Sequence, residues 1–275
     1  MKFSLKNKNI LITGAASGLG AALARRAAFL GGNLILVDLN SQRLHEMSEE
    51  VFKIYTKKSM LKVMDVSDKN AWGELSVELK EKNISIDILV NNAGIALSPK
   101  RFQDISDDQF DHMLKINLHG ALYAIRYILP LISNGNGNGI INISSLGGQF
   151  GLYGYSPYSM SKFALRGLGE SLQMEYAGEP MHHLMVYPGG IKTNLMKNAI
   201  NLSQEQAETA HKKFHDTASL TPDKASLKIW NAFFKKKNRL LIGSEAIVLL
   251  TLYKVLGKHS LKLLKAMFEY QSKLK

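Results

Sequence analysis

Short apolar runs alternate along the chain with longer segments in which apolar residues recur every three or four positions. The short runs are rich in Ile, Leu and Val, as is typical of buried β-strands, and the longer segments have the period of amphipathic helices. The predicted strands are 9–13, 33–38, 60–65, 86–91, 139–144, 184–187 and 239–242, and the clearest helices are 17–30, 41–55 and 68–80. This alternation predicts right-handed βαβ crossovers, and therefore an α/β fold with a doubly wound parallel sheet.

The second half of the chain adds a long helix, an irregular region and a helical end. Ser106 and Gln109 have the spacing of a capping box, which predicts a helix that runs towards Leu129. Residues 194–220 are polar and lack a regular pattern, so we interpret them as an excursion on the substrate side and not as a second domain. We therefore predict one domain over 1–244, followed by a helical C-terminal extension over 245–275.

Composition restricts the compartment and the chemistry. Cysteine is absent from the 275 residues, which excludes disulfides, thiolate metal sites and a cysteine nucleophile, and fits a reducing compartment. The first predicted strand leaves no room for a signal peptide before it. The longest apolar-rich stretch, 246–253, is much shorter than the roughly 20 residues that cross a bilayer. We expect a cytoplasmic protein without a transmembrane helix.

The formal net charge of +12 is concentrated near the C-terminus. Residues 224–275 contain twelve of the 35 basic residues and two of the 23 acidic residues, a net charge of +10, so the other residues together carry only +2. A nearly neutral body with a basic end argues against a nucleic-acid-binding protein.

The basic extension has the pattern of an amphipathic helix. Lys254, Lys258, Lys262 and Lys265 repeat at spacings of four, four and three, and apolar side chains occupy much of the remaining surface. Gly257 is expected to divide the helix in two. Two uses fit this pattern: packing on its own domain or on a partner subunit, or peripheral contact with an anionic membrane surface.

A glycine-rich turn follows the first predicted strand and opens the first helix. It contains Gly14, Ser17, Gly18, Leu19 and Gly20. Glycines at such a turn let the backbone approach a pyrophosphate, and the helix N-terminus supplies N–H groups and partial positive charge. The turn therefore predicts a dinucleotide site.

Asp38 ends the second predicted strand, about 20 residues further on, where dinucleotide sites place an acidic residue. Its carboxylate can accept hydrogen bonds from ribose hydroxyls and would repel a 2′-phosphate. Neither Ser17 nor Leu39, which flank the expected adenosine ribose, is basic, whereas a phosphate needs a cationic partner. These residues favour NAD over NADP, and the nearby Arg43 keeps NADP as the alternative.

Tyr158 and Lys162 are four residues apart and therefore share a helix face. A cation beside a phenol favours the phenolate and lowers a pKa of about 10 towards the range of a general acid/base near neutrality. Such a pair is suited to moving a proton to or from a carbonyl or alcohol oxygen. Tyr155 is the poorer candidate, because Ser159 occupies the position where its lysine would have to be.

These motifs resemble the short-chain dehydrogenase/reductase family over about residues 6–193. Further matches are Asp65-Val66, Asn91-Asn92-Ala93-Gly94, Asn117 and the segment 188–193. The resemblance implies a Rossmann-type dehydrogenase domain that needs no metal. The cofactor-binding residues that it implies are Gly14, Ser17, Gly18, Leu19, Gly20, Asp38, Asp65, Val66, Asn92, Ala93, Gly94, Tyr158, Lys162, Pro188, Gly189, Ile191 and Thr193.

The same resemblance implies four catalytic side chains. Tyr158 would act as acid/base on the substrate oxygen, and Ser145, 13 residues earlier, would orient that oxygen, with Ser144 as the less favoured choice. Lys162 would hold the nicotinamide ribose and lower the pKa of the phenol. Asn117 would position a water that connects Lys162 to solvent. The cofactor carries the hydride chemistry, so the protein has to supply geometry and a proton.

We therefore predict an NAD(P)-dependent oxidoreductase that interconverts a secondary alcohol and a ketone, with NAD favoured. A lipophilic substrate is expected from the apolar extension and from four residues near the predicted catalytic tyrosine, Phe150, Leu152, Tyr153 and Tyr155. The resemblance also implies a homodimer or homotetramer, formed through the helices near 108–130 and 157–177.

Two resemblances within the family compete over the substrate. Residues 148–175 are similar to the 3-ketodihydrosphingosine reductases, which implies an NADPH-dependent reductase of a 3-keto sphingoid or acyl lipid. Residues 188–194 and 239–246 are similar to a broad bacterial group of poorly defined dehydrogenases, and this match covers the substrate side. A nucleotide-binding, membrane-associated protein without turnover is the alternative from another functional class.

Overall fold

Seven parallel strands form one sheet in the computed structural model, which describes residues 3–55, 59–133, 135–200 and 202–273. The strands are β1 (Asn9–Thr13), β2 (Asn33–Asp38), β3 (Ser59–Val63), β4 (Ile88–Asn91), β5 (Gly139–Ile143), β6 (His182–Pro188) and β7 (Arg239–Ile242). Their order in the sheet is β3-β2-β1-β4-β5-β6-β7. The predicted doubly wound α/β fold is confirmed, and the ends of the predicted strands differ from the observed ends by at most two residues.

Helices cover both faces of the sheet. They are α1 (Gly18–Phe29), α2 (Ser41–Tyr55), α3 (Lys69–Glu81), α4 (Asp107–Leu114), α5 (Gly120–Ile128), α6 (Ser156–Glu175), α7 (Gln204–Thr217), α8 (Pro222–Phe234), α9 (Ser244–Leu256) and α10 (Ser260–Lys273). Side chains of α1, α2 and α8 pack on one face, and those of α3, α5 and α6 pack on the other. In β1, Ile10 and Ile12 belong to the first layer and Leu11 to the second. Because both faces are covered, the central strands are apolar at nearly every position.

The strand order reverses between β1 and β4, and this reversal determines where a ligand can bind. β1 pairs with β2 on one side and with β4 on the other. The connections that leave β1 and β4 therefore run in opposite directions, and a crevice opens at the C-terminal ends of these strands. Thr13 and Asn91, the last residues of the two strands, lie at this crevice.

The predicted long helix is present, but its middle is irregular. The capping box is confirmed, because Ser106 Oγ accepts a hydrogen bond from the N–H of Gln109 and the Gln109 side chain accepts one from the N–H of Ser106. α4 continues into α5 through a π-helical turn, Lys115–His119. Such turns are often found at functional sites. The buried Asn117 lies at the centre of this one.

The excursion contains a helix that the sequence analysis did not predict. α7 begins with a capping box in which Ser203 Oγ accepts from the N–H of Gln206 and the Gln206 side chain accepts from the N–H of Ser203. The same signal identified α4. Apolar residues of α7 are sparse, and Phe214 packs with Met196 in a small cluster of its own. The apolar pattern of α7 is too weak to predict a helix, although the capping box marks where the helix begins.

The C-terminal extension forms two helices that pack on the domain. α9 ends at Leu256, Gly257 adopts a left-handed φ of 50°, and α10 begins at Ser260, so the break lies where the sequence places it. The rings of Tyr253 in α9 and Phe150 stack with centroids 5.1 Å apart. The domain boundary between residues 244 and 245 stays a prediction. Across the described residues, every helix is too short or too polar to cross a bilayer.

Gly20 sets the distance between α1 and the turn after β1. A Cβ there would overlap the carbonyl oxygen of Gly14 and would lie 2.6 Å from Nδ2 of Asn92. Gly20→Ala is therefore expected to lower the free energy of unfolding by about 2–3 kcal/mol, as overpacking does, when measured by urea denaturation.

Gly73→Ala is the matched control for this substitution. Gly73 also lies within a helix, but the nearest atom to a Cβ there is Cε1 of Tyr127 at 3.7 Å, an ordinary contact. The control should raise the free energy of unfolding by up to about 1 kcal/mol, because alanine is the better helix former. Equal effects of the two substitutions would show that α1 tolerates a methyl group at this position.

Candidate active site

A cavity of about 310 Å³ lies at the crevice between β1 and β4. Its lining extends from the turn after β1, past the end of β2, to α6 and the segment after β6. The predicted site residues that line it are Gly14, Ser17, Gly18, Leu19, Asp38, Asp65, Val66, Asn92, Ala93, Gly94, Ser145, Tyr158, Lys162, Pro188, Gly189, Ile191 and Thr193. Gly20 and Asn117 were also predicted, and they lie behind this lining.

The turn after β1 is held against the segment after β4. Nδ2 of Asn92 donates to the carbonyl oxygens of Thr13 at 2.9 Å and Gly14 at 3.2 Å. Gly14 and Gly18 are left-handed, with φ of 63° and 55°, and a Cβ on Gly14 would lie 2.9 Å from the Cα of Ala93. Only glycine fits such a close approach. It brings the N-terminus of α1 to the cavity, where its N–H groups can receive a phosphate.

Asp38 stabilises the same turn while its carboxylate lines the cavity. Its Oδ2 accepts from the N–H of Ala16 and its Oδ1 from the N–H of Asn40, each at 2.9 Å. A carboxylate oxygen can accept more than one hydrogen bond, so Asp38 can still bind a ribose hydroxyl. Arg43 is exposed on α2 and does not line the cavity. Among the described lining residues, the single cation is Lys162.

α6 presents Tyr158 and Lys162 to the cavity as neighbours. Nζ of Lys162 lies 5.7 Å from the centroid of the Tyr158 ring and donates to the carbonyl oxygen of Ile143 at 3.2 Å. Lys162 is buried, and burial lowers its pKa from 10.5 to about 8. An ammonium group has three donors. Within the described chain, the Ile143 carbonyl is the one acceptor that it contacts, so Lys162 can also bind a ligand in the cavity.

Two adjacent serines have different surroundings after β5. Ser144 is buried, and its Oγ donates to the carbonyl oxygen of Lys162 at 2.9 Å, which ties β5 to α6. Ser145 Oγ accepts from the N–H of Gly147 at 3.1 Å, and this hydroxyl is close enough to Tyr158 to lower the pKa of the phenol. The hydroxyl beside the phenol is therefore that of Ser145.

The pKa of Tyr158 differs from the sequence-based expectation. Burial raises the pKa of this phenol, and the hydrogen bond with Ser145 offsets only part of the rise. In the protein without a ligand, Lys162 does not lower the pKa of Tyr158 as the sequence predicts. Burial disfavours the charged forms of both groups, the phenolate and the ammonium. A lower phenol pKa therefore requires interactions, beyond those within the protein, that offset the burial of Tyr158.

Asn117 acts on the backbone after β4. Its Oδ1 accepts from the N–H of Ile95 at 2.7 Å, and its Nδ2 donates to the carbonyl oxygen of Ile95 at 3.0 Å. This pair of hydrogen bonds holds the π turn against the cavity wall beside Gly94. A Cβ on Gly94 would lie 3.4 Å from Nζ of Lys162. Both polar atoms of the Asn117 amide therefore bind the main chain of Ile95.

One end of the cavity is lined by the excursion, through Asn194, Leu195, Asn198 and Phe214. The four residues from which a lipophilic substrate was inferred, Phe150, Leu152, Tyr153 and Tyr155, do not line the cavity. Phe150 instead packs against α9. The apolar character of this end comes from Leu195 and Phe214, so that inference was based on the wrong side chains.

Two residues that shape the site were not predicted as site residues. The Thr13 hydroxyl accepts from the N–H groups of Asn92 and Ala93, both at 3.0 Å, and its position before the glycine turn was a usable signal. Glu245, in the first turn of α9, accepts from the N–H of Gly190 at 2.6 Å. No local pattern could identify Glu245, because its partner is 55 residues away in sequence.

The donor set of the cavity fits a dinucleotide. The N-terminus of α1 can bind phosphates, Asp38 can accept from one ribose, and Lys162 can donate to the other. A phenol and a serine hydroxyl lie at the same end as Lys162. The described residues contain no group of three or more His, Cys, Asp and Glu that could hold a metal ion. The arrangement can bind a nicotinamide cofactor and exchange a proton beside it.

The family model for short chain dehydrogenases matches residues 8–204. The 3-ketodihydrosphingosine reductase of Bos taurus is 34% identical over 189 residues, which are 67% of this chain and 57% of that protein. The chain therefore spans little more than half the length of this relative. The putative oxidoreductase SadH of Mycobacterium tuberculosis is 30% identical over 273 residues, which cover 96% of each chain.

Solved structures show the same fold. A short-chain dehydrogenase from Streptomyces avermitilis matches with a TM-score of 0.79 and 27% identity, over 96% of this chain and 98% of that one. A short chain dehydrogenase/reductase from Burkholderia phymatum in complex with NAD matches in fold, with a TM-score of 0.81 and 20% identity over 92% of this chain and 94% of that one. The family match spans well over half of the sequence, and the chain therefore belongs to the oxidoreductases of the short-chain dehydrogenase/reductase family.

Proposed function

We propose that this protein is an NAD-dependent oxidoreductase that interconverts a secondary alcohol and a ketone. The observation that supports this most directly is the meeting of Tyr158, Ser145 and Lys162 at one end of the cavity that begins at the glycine turn. A bound nicotinamide would supply or accept the hydride. The protein then has to orient the substrate and exchange one proton with it.

In the proposed mechanism, the Tyr158 hydroxyl donates its proton to the carbonyl oxygen during reduction and recovers it during oxidation. Ser145 donates a hydrogen bond to the same oxygen, which orients it and stabilises developing negative charge. Lys162 binds the nicotinamide ribose and, when charged, stabilises the phenolate that forms. Asn117 holds the π turn against Ile95 and so supports the wall through which Lys162 would exchange protons with solvent.

The preference for NAD is supported by the charges at the adenosine end. A 2′-phosphate would be close to the Asp38 carboxylate, and the exposed Arg43 is not part of the cavity lining. Asp65 and Val66 would lie beside the adenine, and residues 188–193 would reach the nicotinamide carboxamide. An NADP site would instead need a cation where Leu39 lines the cavity.

We also propose a homodimer or homotetramer in the cytoplasm. Met160 and Phe163 are large apolar side chains exposed on α6, which supports a subunit contact through that helix. The absence of cysteine supports a reducing compartment.

A second candidate is an NADPH-dependent reductase of a long-chain 3-keto lipid. It is supported by the similarity to 3-ketodihydrosphingosine reductases, which reaches 35% identity over 188 residues for the 3-dehydrosphinganine reductase of Danio rerio. A strong preference for NADPH, together with turnover of a long-chain 3-ketone, would favour this candidate over the first.

Tyr158→Phe removes the proposed proton donor and leaves the ring in place. We expect kcat for a ketone or alcohol substrate to fall by at least about 100-fold, the usual contribution of a general acid/base. Tyr155→Phe is the control, because its ring lies 6.4 Å from that of Tyr158 and outside the cavity lining. Full activity of Tyr158→Phe in a screen of alcohols would exclude the mechanism.

Asp38→Asn tests the cofactor preference. The wild-type protein should bind NADH more tightly than NADPH, and the substitution should improve NADPH binding by about tenfold because a repulsive charge is removed. Fluorescence titration with both cofactors measures this. Asp68→Asn is the control, because Asp68 caps α3 at an exposed position outside the lining. Unchanged NADPH affinity in Asp38→Asn would contradict the assigned role of the carboxylate.

Lys162→Met tests the burial of the ammonium group. The folded-state pKa of about 8 is below the ordinary 10.5, so the folded protein binds fewer protons than the unfolded chain between these values. Wild-type stability should therefore rise by up to about 3 kcal/mol from pH 8 to 10.5 relative to Lys162→Met. Urea denaturation across this range measures the difference without added cofactor. Lys80→Met, at an exposed position, should show no such trend.

A further inference from the structure

The outer surface of the C-terminal extension combines exposed apolar side chains with lysines. Ile247 is 52% exposed, Val255 is 77% exposed and Leu261 is 60% exposed. The sequence contains no Asp or Glu between 246 and 268. Exposed large apolar residues are common singly, but a group of them surrounded by one sign of charge indicates an interaction surface.

The exposed residues of α9 lie on one side of the helix. Ile247, Val248, Thr251, Lys254 and Val255 are all exposed, and at 100° per residue they occupy one continuous face. The opposite face carries the buried or partly buried residues Ala246, Leu249, Leu250 and Tyr253, which belong to the cluster that packs on the domain. The outer apolar face is therefore additional to the one that the fold uses.

α10 continues this surface. Leu261, Lys262 and Lys265 are exposed, whereas Leu264 is buried against the same cluster as α9. Lys258 is also exposed, in the short connection between the helices. The outer faces of both helices thus carry lysines next to apolar side chains.

A basic cleft adjoins this surface at the start of α9. It has a volume of about 490 Å³ and lies between α8, β7 and α9. Lys228, Lys235 and Lys237 line it together with apolar residues, and its described lining contains no acidic side chain. Ile247 both lines the cleft and belongs to the exposed face of α9. The cleft and the helical surface are therefore contiguous.

We propose that the outer faces of α9 and α10, with the adjoining cleft, form a docking surface for an anionic lipid bilayer. The apolar side chains enter the interface between headgroups and acyl chains, and the lysines bind anionic headgroups. Apolar insertion alone or lysine–headgroup attraction alone gives weak attachment to a bilayer. The two together give reversible binding to anionic membranes. Lys228, Lys235 and Lys237 provide a site for a lipid phosphate at the edge of the surface.

The charge pattern argues for lipid and against other occupants. A second copy in a two-fold contact would place the lysines of one surface against the same lysines of its partner. Nucleic acid would engage the lysines but would leave Ile247, Val255 and Leu261 in water. An anionic bilayer satisfies both kinds of side chain at once.

The inner side of the same helices contacts the segment that carries the candidate active site. Leu146, Phe150 and Leu152, which follow Ser145, share a cluster with α9 and α10. A Cβ on Gly147 would lie 3.2 Å from Leu152 and 3.3 Å from Tyr158, so this segment is in close contact with the phenol. Docking would place the proposed alcohol/ketone site beside a source of lipophilic substrate, and this part of the inference rests on the proposed function.

Vesicle sedimentation of the full chain tests the docking surface. We expect binding to vesicles of phosphatidylcholine with phosphatidylglycerol, and little binding to phosphatidylcholine alone. The double variant Val255→Glu/Leu261→Glu should reduce binding at least about tenfold, because two inserting side chains become charged. Lys258→Gln/Lys262→Gln should reduce it about 25-fold, at about fivefold for each lysine near an anionic surface.

α3 provides matched controls. Val77 is 54% exposed there, and Lys69 and Lys80 are exposed, so Lys69→Gln/Lys80→Gln repeats the paired lysine change and Val77→Glu repeats one of the two apolar-to-glutamate changes elsewhere on the surface. These variants should bind vesicles as the wild type does. Light scattering without vesicles should give the same oligomeric mass for the wild type and for Val255→Glu/Leu261→Glu.

The outcomes separate docking from the proposed chemistry. The docking surface would be overturned if the wild type failed to sediment with anionic vesicles. It would also be overturned if the α3 control variants lost as much vesicle binding as the variants of α9 and α10. Dissociation of an oligomer by Val255→Glu/Leu261→Glu would mean that a second copy covers it, which also overturns the proposal. Titration of each variant with NADH is independent of vesicles, so loss of docking with retained NADH binding would leave the proposed oxidoreductase intact.

Discussion

The close contact between the turn after β1 and the segment after β4 is the constraint on which the rest of the site depends. Thr13 and Asn92 join these segments by hydrogen bonds, and Gly14 permits an approach that a side chain would prevent. The contact exists because the strand order reverses between β1 and β4, which brings the C-terminal ends of the two strands together. This contact places the N-terminus of α1 at the cavity. The nucleotide end of the candidate site therefore follows from the topology of the sheet.

Burial dominates the electrostatics at the opposite end. Lys162 and Tyr158 are brought together by α6, yet burial lowers the pKa of the lysine and raises the pKa of the tyrosine, so burial disfavours the charged form of each. A bound dinucleotide would give the ammonium group oxygen acceptors and would favour its charged form. Acid/base catalysis by Tyr158 would then depend on cofactor binding. The same burial makes Lys162 a stability liability at neutral pH, which is typical of residues retained for function.

The C-terminal helices connect the candidate active site to the protein surface. Their inner faces pack against residues after Ser145, and Glu245 binds the N–H of Gly190 in the segment after β6 that lines the cavity. Displacement of α9 would therefore disturb two walls of the cavity. Their outer faces carry the lysines and apolar residues of the proposed docking surface. One pair of helices thus links the segment after Ser145 to the proposed docking surface.

Local sequence patterns were enough to predict the seven strands, the glycine turn, Asp38 and the Tyr158–Lys162 pair, because strand period, turn chemistry and helical spacing are local properties. They missed α7 because that helix has few apolar residues, although the capping box at Ser203 was present. Only the folded arrangement shows that Phe150 packs on α9 instead of lining the cavity, and that Glu245 binds Gly190. The folded arrangement also determines that the pKa of Lys162 is lowered and the pKa of Tyr158 is raised. Long-range contacts and burial depend on residues distant in sequence, and no local pattern encodes them.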